Sequence, residues 1–443
     1  MAKVITPLDA CAIVTSLVKE YTGQTVNIAS EDVSSFVSAG QMLRTVAKEN
    51  ILNSIGILVS RTLVKNKRYS AFFSGLTADE SQYNALVREI YFRSQLPQES
   101  GAYNTDENTN FATGYDNGTN SGASVGTMWE QKPSDPVEVY FGGTDVWDDE
   151  ITIYQDKLEA AFNSPTEFAD FVEGMMIEKL NDIESQKEAY NTITLLNRIA
   201  ANIYYEQNSD TVSGYGMETS AVNLTAAYNE FYGLTSTDAK TTAELLSTDL
   251  ESFLKFFVSE FKIYSDRMKR RSGAYHYRYP RIDASTSAEV AGVLNFTPKE
   301  RQRAYIYGPL LTRSESIVMP TLFNPEYTQL PKGSVETVDY WQNFNDPMSI
   351  KVKPALPDMN GSGQTAASAA ISATVVGILF DENAIKTNYI LDSVNTTPVE
   401  ARKKYFNQFW HMSKRSINRF VDNAIVFYMA DPTPDPDDGD AVG

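Results

Sequence analysis

The sequence predicts an α+β fold laid out as an extended plate. Three observations carry that reading. One uninterrupted amphipathic helix, 165–206, is too long for a single compact core. β-type runs flank it, DPVEVYFGG before and ATVVGILFDENAI and NAIVFYM after. A Gly/Asn/Ser/Thr-rich stretch, 97–126, precedes it and lacks the apolar residues to bury a core.

The helix is the firmest element. Ser164 and Glu167 stand at capping-box spacing, and Pro165 occupies the first helical position. Apolar residues recur at helical steps as Phe168, Phe171, Val172, Met175, Met176, Leu180 and Ile183. They resume as Ile193, Leu196, Ile199, Ala200, Ile203 and Tyr204, with no proline in between. At 1.5 Å per residue the helix spans roughly 60 Å, about twice the width of a small domain.

The other elements follow in chain order. Short helices are expected over Asp9–Glu20, from Ser30 to Val37, and from Gln41 into IGILVSRTLV, which turns strand-like. ADESQYNALVREIYF reads as a helical patch. DPVEVYFGG alternates as a strand, and EITIYQDKLEAAF reads as strand then helix. Residues 208–240 read as polar loop. Thr242–Arg271 reads as one helix with Leu245, Leu246, Leu250, Phe253, Leu254, Phe257, Phe261 and Tyr264 on one face. Residues 272–353 read as mixed strand and loop, and PALPDMNGSGQTAASAA as a second flexible stretch. ATVVGILFDENAI reads as a buried strand ending in an acidic turn. Thr397 and Glu400 again have capping-box spacing, which predicts a helix carrying Phe406, Phe409, Trp410 and Ile417. NAIVFYM is a last strand, and the acidic, Pro-rich residues 431–443 form a tail.

Composition narrows the function. The chain has 443 residues, 42% hydrophobic, with 25 Tyr and 22 Phe. Tyr suits surfaces that are wet when alone and covered in an assembly. The net charge of −19 argues against a tight grip on duplex nucleic acid, which needs Lys and Arg at the phosphates. Cys11 is the only cysteine, which excludes an intrachain disulfide framework. The segment MAKVITPLDACAIVTSLVKE lacks a signal-peptide pattern, and no run reaches membrane-spanning length, so a cytoplasmic protein with no membrane role is expected.

The search for chemistry returns little. His276 and His411 are far apart in sequence and lack neighbours at metal-ligand spacing. There is no phosphate-binding loop and no nucleophile elbow. Asp435, Asp437, Asp438 and Asp440 lack the spacing and closing Glu of a calcium loop. No enzyme activity and no cofactor are expected. One segment concentrates positive charge: KIYSDRMKRRSGAYHYRYPR, with Lys262, Arg267, Lys269, Arg270, Arg271, Arg278 and Arg281. Its interleaved tyrosines could stack on bases, but in so acidic a chain it reads better as a contact for an acidic surface of a neighbouring copy. The acidic run from Asp135 to Glu188 offers one, with Asp148, Asp149 and Glu150 as candidate contacts.

The layout resembles the major capsid protein of tailed double-stranded-DNA bacteriophages, the Hong Kong Ninety-Seven fold, which encapsulin shells share. IGILVSRTLVKNKRYSAFFSG looks like the entry to that fold's extended loop. DPVEVYFGG and EITIYQDKLEAAF look like its return, and NSPTEFADFVEGMMIEKL like the spine helix. GILFDENAI followed by ARKKYFNQFWHMSKRSINRFVDNAIVFYM resembles the end of the shell protein of small short-tailed phages. The similarity covers roughly 50–205 and 371–430.

The resemblance implies an N-terminal arm over 1–64, an extended loop over 65–150, and a peripheral domain from 151–207 and 371–430. It further implies an axial domain over 208–370 and a tail over 431–443. The implied function is an icosahedral shell of pentamers and hexamers, built in the bacterial cytoplasm with scaffolding and portal proteins, and enclosing double-stranded DNA without reading its sequence. An encapsulin-type compartment is the alternative.

Overall fold

The computed structural model describes residues 33–46, 71–77, 87–94, 134–141, 145–154, 164–208, 219–235, 238–282, 289–317, 335–357 and 364–431, with a few positions between 11 and 19 and without 236–237. The Gly/Asn-rich stretch, IGILVSRTLV and residues 432–443 lie outside them. The helical elements are α1 (Val33–Val46), α2 (Pro165–Gln207), α3 (Leu224–Tyr232), α4 (Thr242–Ser247), α5 (Leu250–Arg267) and α6 (Gly308–Ile317).

A six-stranded sheet forms the centre. It is built from β4 (Ala221–Asn223), β7 (Gln302–Tyr307), β8 (Val335–Val338), β9 (Ser349–Val352), β12 (Ile371–Asp381) and β15 (Ala424–Met429). Its order is β4-β15-β12-β7-β8, with β9 also paired to β12. Both faces are covered. Val426 and Tyr428 of β15 join the α2 side, with Leu195, Ile199 and Ile203. Ile425, Phe427 and Met429 point the other way, to Phe253, Phe257 and Phe261 of α5. Period-2 alternation between two apolar layers explains why AIVFYM has no polar residue.

A second sheet is antiparallel, in the order β13 (Ile385–Thr396), β14 (Tyr405–Asn418), β3 (Asp145–Tyr154). Three hairpins complete the strands: β1 (Val87–Phe92) with β2 (Pro136–Phe141), β5 (Arg281–Ile282) with β6 (Glu289–Ala291), and β10 (Ala355–Pro357) with β11 (Gln364–Ala366). The predicted long helix is present as 43 residues. From Arg198 to Tyr205 every side chain on it is buried, so its C-terminal part is buried all round.

Five expectations are corrected. The residues expected as a helix after Glu400 form strand β14. Phe406, Gln408, Trp410 and Met412 are buried and the residues between them half-buried, a period of two. Strands on both sides outcompete the capping signal, and Glu400 closes a tight turn instead, its carbonyl accepting from Lys404 N at 2.7 Å. In the patch read as helical, VREIYF is strand β1, paired along its length with β2; residues 78–86 are outside the description. The loop expected over 208–240 contains β4 and α3. Asn223 caps α3 by accepting from Thr225 N, and Gly233 ends it at φ 66°, which favours glycine. Thr242–Arg271 is two helices, because Thr248 and Asp249 both donate their amides to Glu244 O. AYIYGPLL, read as strand and loop, runs from β7 straight into helix α6.

Gly377 lies at the bulge where β12 shifts register against β15. A Cβ there would sit 2.8 Å from the carbonyl oxygen of Tyr305 on β7. Gly377→Ala should therefore destabilise the sheet by about 1–3 kcal/mol, the usual cost of overpacking. Urea denaturation reads this directly, and an unchanged midpoint would contradict the packing described.

Candidate functional site

Several of the chain's buried polar side chains converge on one junction. The turn 419–423 leads from β14, in one sheet, to β15, in the other. Arg198 of α2 reaches it from a fully buried position. Its Nη1 donates to Arg419 O and its Nη2 to Asp422 O, both at 2.7 Å, and its guanidinium lies 4.6 Å from the centre of the Phe420 ring. Burial lowers its pKa to about 10, which leaves it charged at neutral pH.

Arg419 extends the junction to the β1–β2 hairpin. Its Nε donates to Glu89 Oε1 at 2.7 Å and its Nη1 to Asn383 O at 2.8 Å. A second mooring lies farther along the hairpin. Arg93 donates to Tyr279 O and pairs with Asp135 at 2.9 Å, and Arg281 reaches the same carboxylate at 3.3 Å.

Two titratable groups flank the junction, Asp422 half-buried and His276 fully buried. Asp422 accepts from Asn295 Nδ2 at 2.9 Å, and burial, reinforced by the nearby Asp381 charge, raises it to about 6. His276 is fully buried between Asn423 Oδ1 and Val293 O, both at 3.0 Å, and burial lowers it to about 4. His411 is half-buried on strand β14, not on a helix.

The predicted contact residues divide in two. Lys262, Arg267, Lys269, Arg270 and Arg271 are exposed at the end of α5 and just beyond it. Lys269 pairs with Asp266, and Arg267 lies over Tyr264. The guanidinium groups of Arg270 and Arg271 pair with no described residue. Arg278 is half-buried, its side chain packed over Gly273, which takes it away from that surface. Among the acids, Asp148 and Glu150 are exposed on β3, whereas Asp149 is paired with Lys179 of α2. Asp135 is held by Arg93 and Arg281 and Glu184 by Lys187, so much of the expected acidic run is neutralised within the chain.

Sequence reasoning missed the junction, although an Arg inside the apolar run LLNRIAANIYY was a signal for it. It also missed a cleft of about 200 Å³ between the start of the described 71–77 segment, α2 and the end of β8. Phe72, Phe73, Glu188, Asp339, Tyr340 and Trp341 line it. Large apolar groups stand exposed elsewhere, including Phe231 at 68% and Phe344 at 79%.

Among the described residues there is no cluster of three metal-ligating side chains and no helix long and apolar enough to cross a membrane. What the described residues offer is exposed charged and apolar surface around the Arg198 junction. The chain belongs to the Phi29-like phage major capsid protein family, whose model matches residues 11–428. It is a head-shell protein of a tailed phage, and that family assignment selects the phage head over the compartment alternative.

Its structure is similar to a capsid chain of Staphylococcus phage Andhra, at 11% identity and a TM-score of 0.45, over 82% of this chain and 84% of that one. It is also similar to chains of the cyanophage P-SCSP1u capsid (11%, 0.41, 83% and 90%) and of the bacteriophage PhiM1 mature capsid (10%, 0.40, 82% and 89%). A comparison with curated proteins finds no match.

Arg198→Leu should cost on the order of 3 kcal/mol, because two buried carbonyls lose their donor. Chemical denaturation of the unassembled chain measures it, and a loss under about 0.5 kcal/mol, the size of a neutral surface change, would show that the guanidinium does not hold the turn.

The pH dependence has a defined sign. Asp422 is raised from 3.8 to about 6, so its contribution is complete below about pH 4 and is lost as pH rises through 6. His276 is lowered from 6.5 to about 4, so its contribution is complete above about pH 6.5 and is lost as pH falls through 4. The two oppose each other between pH 4 and 6. Removing the first with Asp422→Asn should make stability, relative to the parent, rise with pH across that window by up to about 1.4 kcal/mol per unit. Parallel stability curves for variant and parent would refute the assignment.

Proposed function

We propose that the shell this protein builds is an icosahedral lattice of pentamers and hexamers, assembled in the bacterial cytoplasm around a separate scaffolding protein and a portal. The observation that carries this reading is the family match together with the moored β1–β2 hairpin, whose two strands residues 95–133 separate in sequence. On this reading 1–64 is the N-terminal arm and the extended loop begins near 65. The loop ends before β3, since β3 is an edge strand of the second sheet. The peripheral unit is then β3, α2, β13 and β14. The axial unit includes β12 and β15 with 208–370, because a division at 370/371 would cut the six-stranded sheet through its centre.

The role of each part follows from its chemistry. The arginine and carboxylate moorings fix the hairpin's base, so any change of loop direction takes place beyond Arg93 and Asp135. The exposed basic cluster of α5 and the exposed Asp148 and Glu150 are intersubunit surfaces. Different, complementary patches on one subunit give the heterologous contacts from which rings close. A net charge of −19 keeps the shell from gripping the double-stranded DNA it encloses.

Deleting residues 101–126 should leave a folded chain that no longer forms regular shells. Electron microscopy and light scattering of the variant, co-expressed with its scaffolding protein, check this. Normal particles from the deletion would exclude the loop from lattice formation.

A further inference from the structure

The cleft beside Tyr340 has the chemistry of a socket for a cation. Phe72 is 45% exposed and Tyr340 42% exposed, so each presents part of an aromatic face at the rim. The Asp339 carboxylate is exposed there and pairs with no described residue, and Glu188 adds a second carboxylate. Cations bind well over aromatic faces and beside carboxylates, and a planar guanidinium satisfies both at once. At about 200 Å³ the cleft is smaller than the roughly 300–1,000 Å³ of small-molecule sites, and it suits one long side chain.

The socket is built rather than incidental. Trp341 is buried and donates its indole N–H to Val375 O at 2.9 Å, which fixes the loop that carries Asp339 and Tyr340. Its own amide donates to Pro347 O at 2.9 Å. On the opposite wall Phe73 holds a left-handed backbone, φ 58°, which is strained for a bulky residue. That conformation buries Phe73 and leaves Phe72 outside, with the Phe72 amide donating to Glu188 Oε2 at 3.3 Å.

We infer that this cleft receives Arg271 or Arg270 from a second copy of the chain in the assembled shell. Charge complementarity selects the occupant, because these two adjacent exposed guanidinium groups pair with no described residue of their own chain while the cleft is acidic and aromatic. The exposed Ile263 and Phe296 belong to the same region as the arginines and supply an apolar rim around the contact. Buried arginines framed by apolar groups are the usual anchors of protein interfaces. The inference rests on the shell reading and names the landing place of the basic cluster, with Asp148 and Glu150 as the competing one.

The test uses the full chain in assembled particles, with Cys11→Ser as the background. Arg271→Cys with Asp339→Cys should give a ladder of covalent multimers when particles are treated with a short bis-maleimide. A ladder from Arg271→Cys with Asp148→Cys instead, or none from either pair, overturns the inference while intact particles leave the shell reading standing. Charge exchange gives a second readout should the cysteine variants fail to assemble. Asp339→Arg should lower particle yield by about tenfold or more, since like charges across an interface are repulsive, and Arg270→Glu with Arg271→Glu in the same chain should restore it. Parent-level yield from Asp339→Arg alone overturns the inference.

Discussion

The fully buried guanidinium of Arg198 joins the long helix to the one turn that leads the chain from the three-stranded sheet into the six-stranded sheet. That turn exposes two carbonyls to the interior, and a buried carbonyl without a donor is costly. Arg198 satisfies both from one rigid fork, which a lysine with its single point charge would do less well. The geometry fixes the relative placement of α2, β14 and β15. Arg419 then carries the same restraint outward to Glu89 and the β1–β2 hairpin. A continuous polar chain thus runs through the subunit from its helix to its outermost described hairpin.

The electrostatics follow the same economy. The chain is strongly acidic, yet the carboxylates nearest its structural joints are held by arginines and lysines of the same subunit. Asp135, Asp149 and Glu184 are of this kind. Arg270 and Arg271, which pair with no described residue, stand just beyond a helix whose buried face is apolar but for Ser265. A lattice protein has to hold itself together before it meets its neighbours, and charges spent inside are unavailable for contacts outside. The outward pairs are exposed and screened by salt, so each adds little stability but can decide orientation and register.

The sequence made the long helix and the two-sided buried strands legible, since both depend on local periodicity. Pro165 and the unbroken stripe that follows it specify α2. The run AIVFYM specifies a strand with two apolar neighbours. It misled at β14, where Phe406, Phe409, Trp410 and Ile417 fit a helical spacing as well as a pleated one, and only the flanking strands decide. It misled again at β4 and α3, read as polar loop, where the polar residues around them hid four buried apolar positions, Ala221, Val222, Leu224 and Tyr228. The basic cluster was legible because charge is written in the residues themselves. The cleft was not, because Phe72, Glu188 and Asp339 come from three distant segments and acquire a common chemistry only when folded.

The order in which strands enter the sheets has its own consequence. β15 lies inside the six-stranded sheet, between β4 and β12, and β14 at the centre of the other, yet both follow every other described strand in the chain. Neither sheet can be completed before residues 405–429 have been made, and the long-range pairings they need are slow to form. A prematurely terminated product would lack the middle of both sheets and could not present an ordered edge to a growing lattice. The topology therefore ties both sheets to one late segment: a chain without residues 405–429 has neither sheet whole.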